Sequence, residues 1–212
     1  MATYDPQLDL REEQVNAITH GLGIIFGLIC IPVMLVSAFS HVDATALAGI
    51  SVYGISFLMV FTFSTLFHWS RAGKRRARLK MLDHISIYFL IAGTYTPLIL
   101  LFVNNHFGIV LLYTLWSLTF VGTIFKIFFT GKFEIVSTVI YLAMGWMLLA
   151  GARSFFANMP STVVILIIAG GVLYTIGVIF YIKEWFRYQH AVWHLLVLSA
   201  AICHFTAILS SI

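Results

Sequence analysis

Seven apolar runs, each about 18 to 22 residues long and divided by short polar clusters, constrain this chain more than any other feature it has. They fall at about 20–40, 46–68, 83–103, 108–129, 135–152, 162–182 and 191–210. A bilayer core offers no water to backbone amides, so a run of this length must become a helix that satisfies them internally. The fold expected is therefore all-α, a seven-transmembrane helix bundle. Composition agrees, since 61% of the 212 residues are hydrophobic and 9% are charged, against roughly 25% charged in a soluble domain. No polar stretch is long enough to build a soluble domain. The expected organisation is a short cytoplasmic amphipathic leader over 1–19 and a transmembrane domain over 20–212.

Breaks between runs carry the polar chemistry expected of helix ends: His41 to Asp43, Asn104 to His106, and Asn158-Met159-Pro160. Orientation follows from Lys and Arg in the short loops, which resist translocation. Arg11, Arg71, Lys74, Arg75, Arg76, Arg78, Lys80, Lys126, Lys132, Lys183 and Arg187 fall on one side by alternation, and only Arg153 on the other. The N-terminus is expected in the cytoplasm and, with an odd number of spans, the C-terminus outside. The location that fits is a multi-pass position in a bacterial-type inner (plasma) membrane. These basic residues act as topology signals, so the net charge of +4 does not point to nucleic acid. Cys30 and Cys203 lie inside apolar runs without metal-ligand spacing and read as packing residues.

The leader carries Asp5, Asp9, Glu12 and Glu13, the opposite of a basic signal-peptide start, so the first run is expected to be retained as a span. Within it Glu13, Asn16 and His20 share one helical face. Two readings stand: a solvated face of an interfacial helix, or a polar stripe that lines a site. Gly23 and Gly27 match GxxxG spacing, a weak sign of helix contact.

Three histidines share a depth under this topology. His68 ends the second run, and His190 and His194 open the seventh. Residues four apart lie on one helical face, which pairs Ser64 with His68 and His190 with His194. Imidazoles gathered where water is scarce suit a divalent metal such as zinc. Ala191, Val192 and Trp193 separate the paired histidines, so no glutamate lies between them as it does in HExxH. A general base must come from elsewhere, and Asp83 is the carboxylate at the start of a span on the same side. In that arrangement three histidines hold the ion, Asp83 takes a proton from water, and Ser64 orients the water or donates to a developing oxyanion. The bland alternative is histidines bonded to backbone carbonyls or lipid headgroups near the interface.

The remaining histidines fit the trio poorly. His41 and His106 lie in outer loops, and His84 projects about 100° away from Asp83. His204 is ten residues past His194, about 15 Å deeper along a helix, and cannot reach the same ion. It reads either as a functional group or as a neutral histidine bonded to a neighbouring helix. The third span is unusually polar, with Asp83 and Ser86 on an inward face and Thr94 and Thr96 expected to satisfy backbone groups freed by Pro97.

The ordered motifs Glu13-x-x-Asn16-x-x-Thr19-His20, Ser64-Thr-Leu-Phe-His68, Leu82-Asp83-His84-Ile85-Ser86 running on to Ala92-Gly93-Thr94-Tyr95-Thr96-Pro97, and His190-Ala-Val-Trp-His194 resemble the bacterial haemolysin III proteins. Those proteins share a family with the progestin and adipoQ receptors. The resemblance covers nearly the whole chain. It implies seven spans, a cytoplasmic N-terminus, and an intramembrane zinc held at His68, His190 and His194 with Asp83 and Ser64 beside it. The wider group includes alkaline ceramidases, so hydrolysis of lipid amides is implied, whereas the name haemolysin implies a pore.

Three functions follow as expectations. The first is a zinc-dependent membrane hydrolase acting on a lipid amide or ester. The second is a receptor or sensor in which zinc staples helices without turnover. The third is a pore-forming protein or proton-linked transporter, suggested by His204 and the polar third span. Membrane lipids are the expected substrates or ligands.

Overall fold

The computed structural model describes residues 6–183 and 185–212, with side chains from residue 10 onward except at 184. Asp5 and the side chain of Asp9, counted above in the leader, lie outside the described residues. Eight α-helices and one 3₁₀ turn make up the regular structure of the described residues, and no strand occurs among them. The helices are α1 (Pro6–His41), α2 (Ala44–Trp69), α3 (Lys74–Phe102), α4 (His106–Phe129), α5 (Glu134–Gly145), α6 (Ala152–Phe156), α7 (Ser161–Ile182) and α8 (Gln189–Leu209). Among the described residues, seven segments are long and apolar enough to cross a membrane, the fifth being Glu134–Phe156. The chain is an integral multi-pass membrane protein with an all-α fold.

The breaks fall where polar residues can cap. Asp43 accepts from Ala46 N at 2.8 Å to start α2, and Asn105 accepts from Gly108 N at 3.1 Å to start α4. Two boundaries differ from expectation. Residues 6–19 and the first run form one uninterrupted helix, because nothing between Glu13 and His20 breaks it. The fifth run is a broken span: α5 stops at Gly145, a 3₁₀ turn covers Met147–Gly151, and α6 completes the crossing. Hydropathy is continuous through this break, so an apolar count does not register it.

Helix α2 packs between α1 and α3, α3 against α4, and α7 against α8, which closes back on α1, while α5 touches α3 and α7 more lightly. Buried Met34, Tyr53, Phe57, Phe61, Tyr88 and Ile208 belong to the core. Close approach of α1 to α2 requires glycine: a Cβ at Gly23 would meet Phe61 at 2.2 Å, and one at Gly27 would meet Leu58 at 2.7 Å. The GxxxG spacing thus marks a helix contact inside the chain. Thr94 and Thr96 donate to Leu90 O and Ala92 O at 2.7 Å. This corrects the expectation about Pro97, which removes the bond to Gly93 O; each threonine instead bonds the carbonyl one turn before itself.

The ends carrying Glu13, His68, Asp83, Lys126, Glu134 and His190 meet at one end of the bundle, where Arg76 bonds Phe67 O and Ser70 O and Arg187 pairs with Glu12 at 3.3 Å.

Candidate metal centre

Helix α2 brings His68 to its last turn, and α8 brings His190 and His194 to its first two. The entry of the chain into α8 is sharp. Tyr188 adopts a left-handed conformation with φ of 64°, uncommon for a residue with a side chain. Gln189 braces the turn by donating to Phe180 O and accepting from Trp185 N, both at 2.6 Å. The result is that one nitrogen from each of His68, His190 and His194 lies within 4.8 Å of the other two, and His68 and His194 are buried. Ring centroids are 4.5 Å apart for His190 and His194 and 4.8 Å apart for His68 and His194. This group can hold a metal ion.

Protonation supports that use. His68 Nδ1 donates to Glu13 Oε2 at 2.9 Å, and His194 Nδ1 donates to Asn16 O at 3.1 Å with Thr19 Oγ1 at 3.3 Å. An imidazole whose Nδ1–H is taken by an acceptor presents the lone pair of Nε2, the form a metal requires. Glu13 is itself held by Arg76 Nη2 at 2.8 Å. Two further buried groups on the same face of α1 lack partners among the described residues: Asn16 Oδ1 and both ring nitrogens of His20. His20 stacks on His194 with centroids 3.7 Å apart.

The stripe Glu13, Asn16 and His20 therefore lines the site, with Asn16 and His20 buried and Glu13 partly exposed at its outer end. Sequence reasoning left both readings open because one-face spacing is shared by solvated and inward stripes. It also counted Asp83 as the carboxylate available; Glu13 is a second one, in contact with a member of the trio.

Asp83, at the start of the membrane part of α3, and Ser64 line the same cavity as the trio. Ser64 is buried one turn before His68. His84 also lines the cavity but is not a member of the trio: Nδ1 donates to Lys80 O at 2.6 Å and Nε2 lies 3.3 Å from Glu134 Oε2. Glu134 also pairs at 3.0 Å with Lys126, whose side chain is 0% exposed. This ionic group ties α3, α4 and α5 together next to the site.

A cavity of about 430 Å³ opens from the trio into the bundle. Asp83 and His190 line one end, Tyr174 and His204 line the other, and Val60, Leu90, Leu142 and Val178 contribute apolar wall between.

Comparison with known proteins identifies the family. The profile of the family described as "Haemolysin-III related" matches residues 8–205. The chain is 38% identical to "Hemolysin-3" of Bacillus cereus over 200 residues, covering 94% of this chain and 91% of the relative. It is 36% identical to "Hemolysin-3 homolog" of Bacillus subtilis, covering 94% of each. A human relative, "Monocyte to macrophage differentiation factor", is 28% identical over 207 residues, 93% of this chain and 83% of that protein.

Proposed function

The chain belongs to the haemolysin-III related family, and from that premise we propose that it is a zinc-dependent integral membrane hydrolase cutting an amide or ester bond of a membrane lipid. The observation that carries the reading is the meeting of three histidines, a carboxylate and a hydroxyl at the end of an apolar cavity. A donor set of imidazoles with acceptors behind two of them suits zinc, whereas calcium and magnesium favour oxygen. When bound, zinc supplies Lewis acidity, making water nucleophilic at neutral pH and polarising an acyl carbonyl.

The chain's own residues do the rest. His68, His190 and His194 hold the ion. Asp83 accepts the proton of the attacking water and passes it to the departing amine or alcohol. Ser64 donates a hydrogen bond to the oxygen on which negative charge develops, or orients the water. The cavity takes the acyl chain and keeps bulk water from the reacting bond. The lysine and arginine distribution assigns this end of the bundle to the cytoplasm, with the C-terminus outside, in a bacterial-type plasma membrane.

The test is release of fatty acid from a panel of lipid amides and esters by detergent-purified protein, with zinc quantified in each sample. Wild type should hold zinc and release product. Asp83→Ala should keep the zinc and lose about 10²- to 10⁴-fold in release. Wild type without zinc, or release unchanged in Asp83→Ala, overturns the reading.

One observation favours a second reading. The trio joins α2 to α8, so an ion there is also a staple, and a lipid in the cavity would bias helix arrangement without being cut. That reading expects zinc-dependent stability with no product from any lipid.

A further inference from the structure

The deep end of the cavity shows a contrast among its polar groups. Most are satisfied by neighbouring helices. Tyr95 donates to Gly145 O at 2.7 Å and accepts from Leu148 N at 3.2 Å. Trp146 Nε1 donates to Thr175 Oγ1 at 3.0 Å, and Thr175 donates on to Gly171 O at 2.7 Å. His204 is different. Its Nε2 donates to Ile167 O at 3.2 Å, which fixes the proton there and leaves Nδ1 as an acceptor. No described residue donates to Nδ1.

Helix α7 is shaped to receive the opposite edge of this ring. A Cβ at Gly170 would lie 2.4 Å from both Cδ2 and Nε2 of His204. Glycine lets that edge seat against α7 and turns the Nδ1 edge away from it. One turn further along α7 is Tyr174, its ring centroid 5.6 Å from that of His204. The Tyr174 hydroxyl is buried with no partner among the described residues. His204 Nδ1 thus stands as an unanswered acceptor in the wall of the cavity, where leaving it so is unfavourable, whereas the Tyr174 hydroxyl is enclosed by protein.

We propose that this end of the cavity recognises a hydroxyl group carried on the chain of a bound amphiphile, with His204 Nδ1 accepting from it. A hydroxyl is the smallest donor that can answer an imidazole nitrogen from part-way along an apolar chain. Its place on the ligand follows from the helix: His204 is ten residues beyond His194, about 15 Å deeper. The ligand is a lipid or fatty acid with its polar head at the trio and a hydroxyl in mid-chain. This rests on the reading that a lipid chain enters the cavity.

The test is displacement of a fluorescent fatty acid from detergent-purified, full-length protein by octadecanoic acid and by its mid-chain-hydroxylated counterpart. An apolar wall would favour the plain chain, because burying an unanswered hydroxyl is unfavourable. The site predicts the reverse, a preference of about 3- to 10-fold for the hydroxylated acid. His204→Leu should abolish the preference, and His204→Gln, whose amide supplies both donor and acceptor, should keep part of it. Metal content, set at the other end of the cavity, should be equal in all variants and reports their folding. Equal displacement by the two acids in wild type, or a preference that survives in folded His204→Leu, overturns the site and leaves the lipid reading standing. Displacement by neither acid overturns both.

Discussion

Glu13 of α1 and His68 of α2 meet with Oε2 2.9 Å from Nδ1, while the other Glu13 oxygen accepts from Arg76 at 2.8 Å. A charged helix start is thereby tied to a candidate metal ligand on the next helix. The carboxylate fixes the ring's orientation and tautomer, and the arginine fixes the carboxylate.

Removing that carboxylate should weaken metal binding without removing a ligand. Glu13→Ala is expected to lower zinc affinity by about 10- to 100-fold, measured by competition with a chromophoric chelator. Glu13→Gln, which still accepts from Nδ1–H but carries no charge, should fall between that variant and wild type. Equal affinities in all three proteins would mean that Glu13 serves only Arg76 and the packing of α1.

The trio itself was legible because two independent signals agreed. Four-residue spacing paired His190 with His194, and the lysine and arginine count placed His68 at the same end of the bundle. The function of Glu13 was not legible in the same way. Its spacing with Asn16 and His20 defines a face, but only the approach of α1 to α2 across Gly23 and Gly27 decides what that face meets. Gln189 and Arg76 were missed for a related reason, since each acts on backbone carbonyls that only the folded turn brings near. The break after Gly145 left no mark because the residues that follow, Trp146 to Ala150, are as apolar as the helix before them.

Metal removal should be visible in stability, since an ion shared by α2 and α8 binds the folded bundle and not the separated helices. At free zinc near 100 times the dissociation constant, the linkage amounts to about 2.7 kcal/mol, or a change in Tm on the order of 5–10 °C. Thermal denaturation in detergent, with and without a chelator, checks this. In His190→Ala the two curves should coincide. A chelator-sensitive Tm that persists in His190→Ala would locate the bound metal elsewhere.

Lys126 poses a separate question, because a lysine with a 0% exposed side chain inside α4 is tolerable only if its charge is met. Glu134 meets it at 3.0 Å and at the same time touches His84 and Lys80. Glu134→Ala strands the lysine, and removing one partner of a buried pair costs about 3–5 kcal/mol. The position of Lys126 near the end of α4 allows its stem to reach toward the interface, which favours the lower part of that range. The double variant Lys126→Met/Glu134→Ala removes the stranded charge while keeping apolar volume, so it should recover much of the loss. Lys80→Ala deletes a 38% exposed partner 3.5 Å away and should cost only about 0–1 kcal/mol. Thermal or denaturant unfolding of wild type and the three variants in one detergent measures the order. A double variant no more stable than Glu134→Ala would show that the glutamate acts through His84 and the α3–α5 contact, with the buried lysine carrying no penalty of its own.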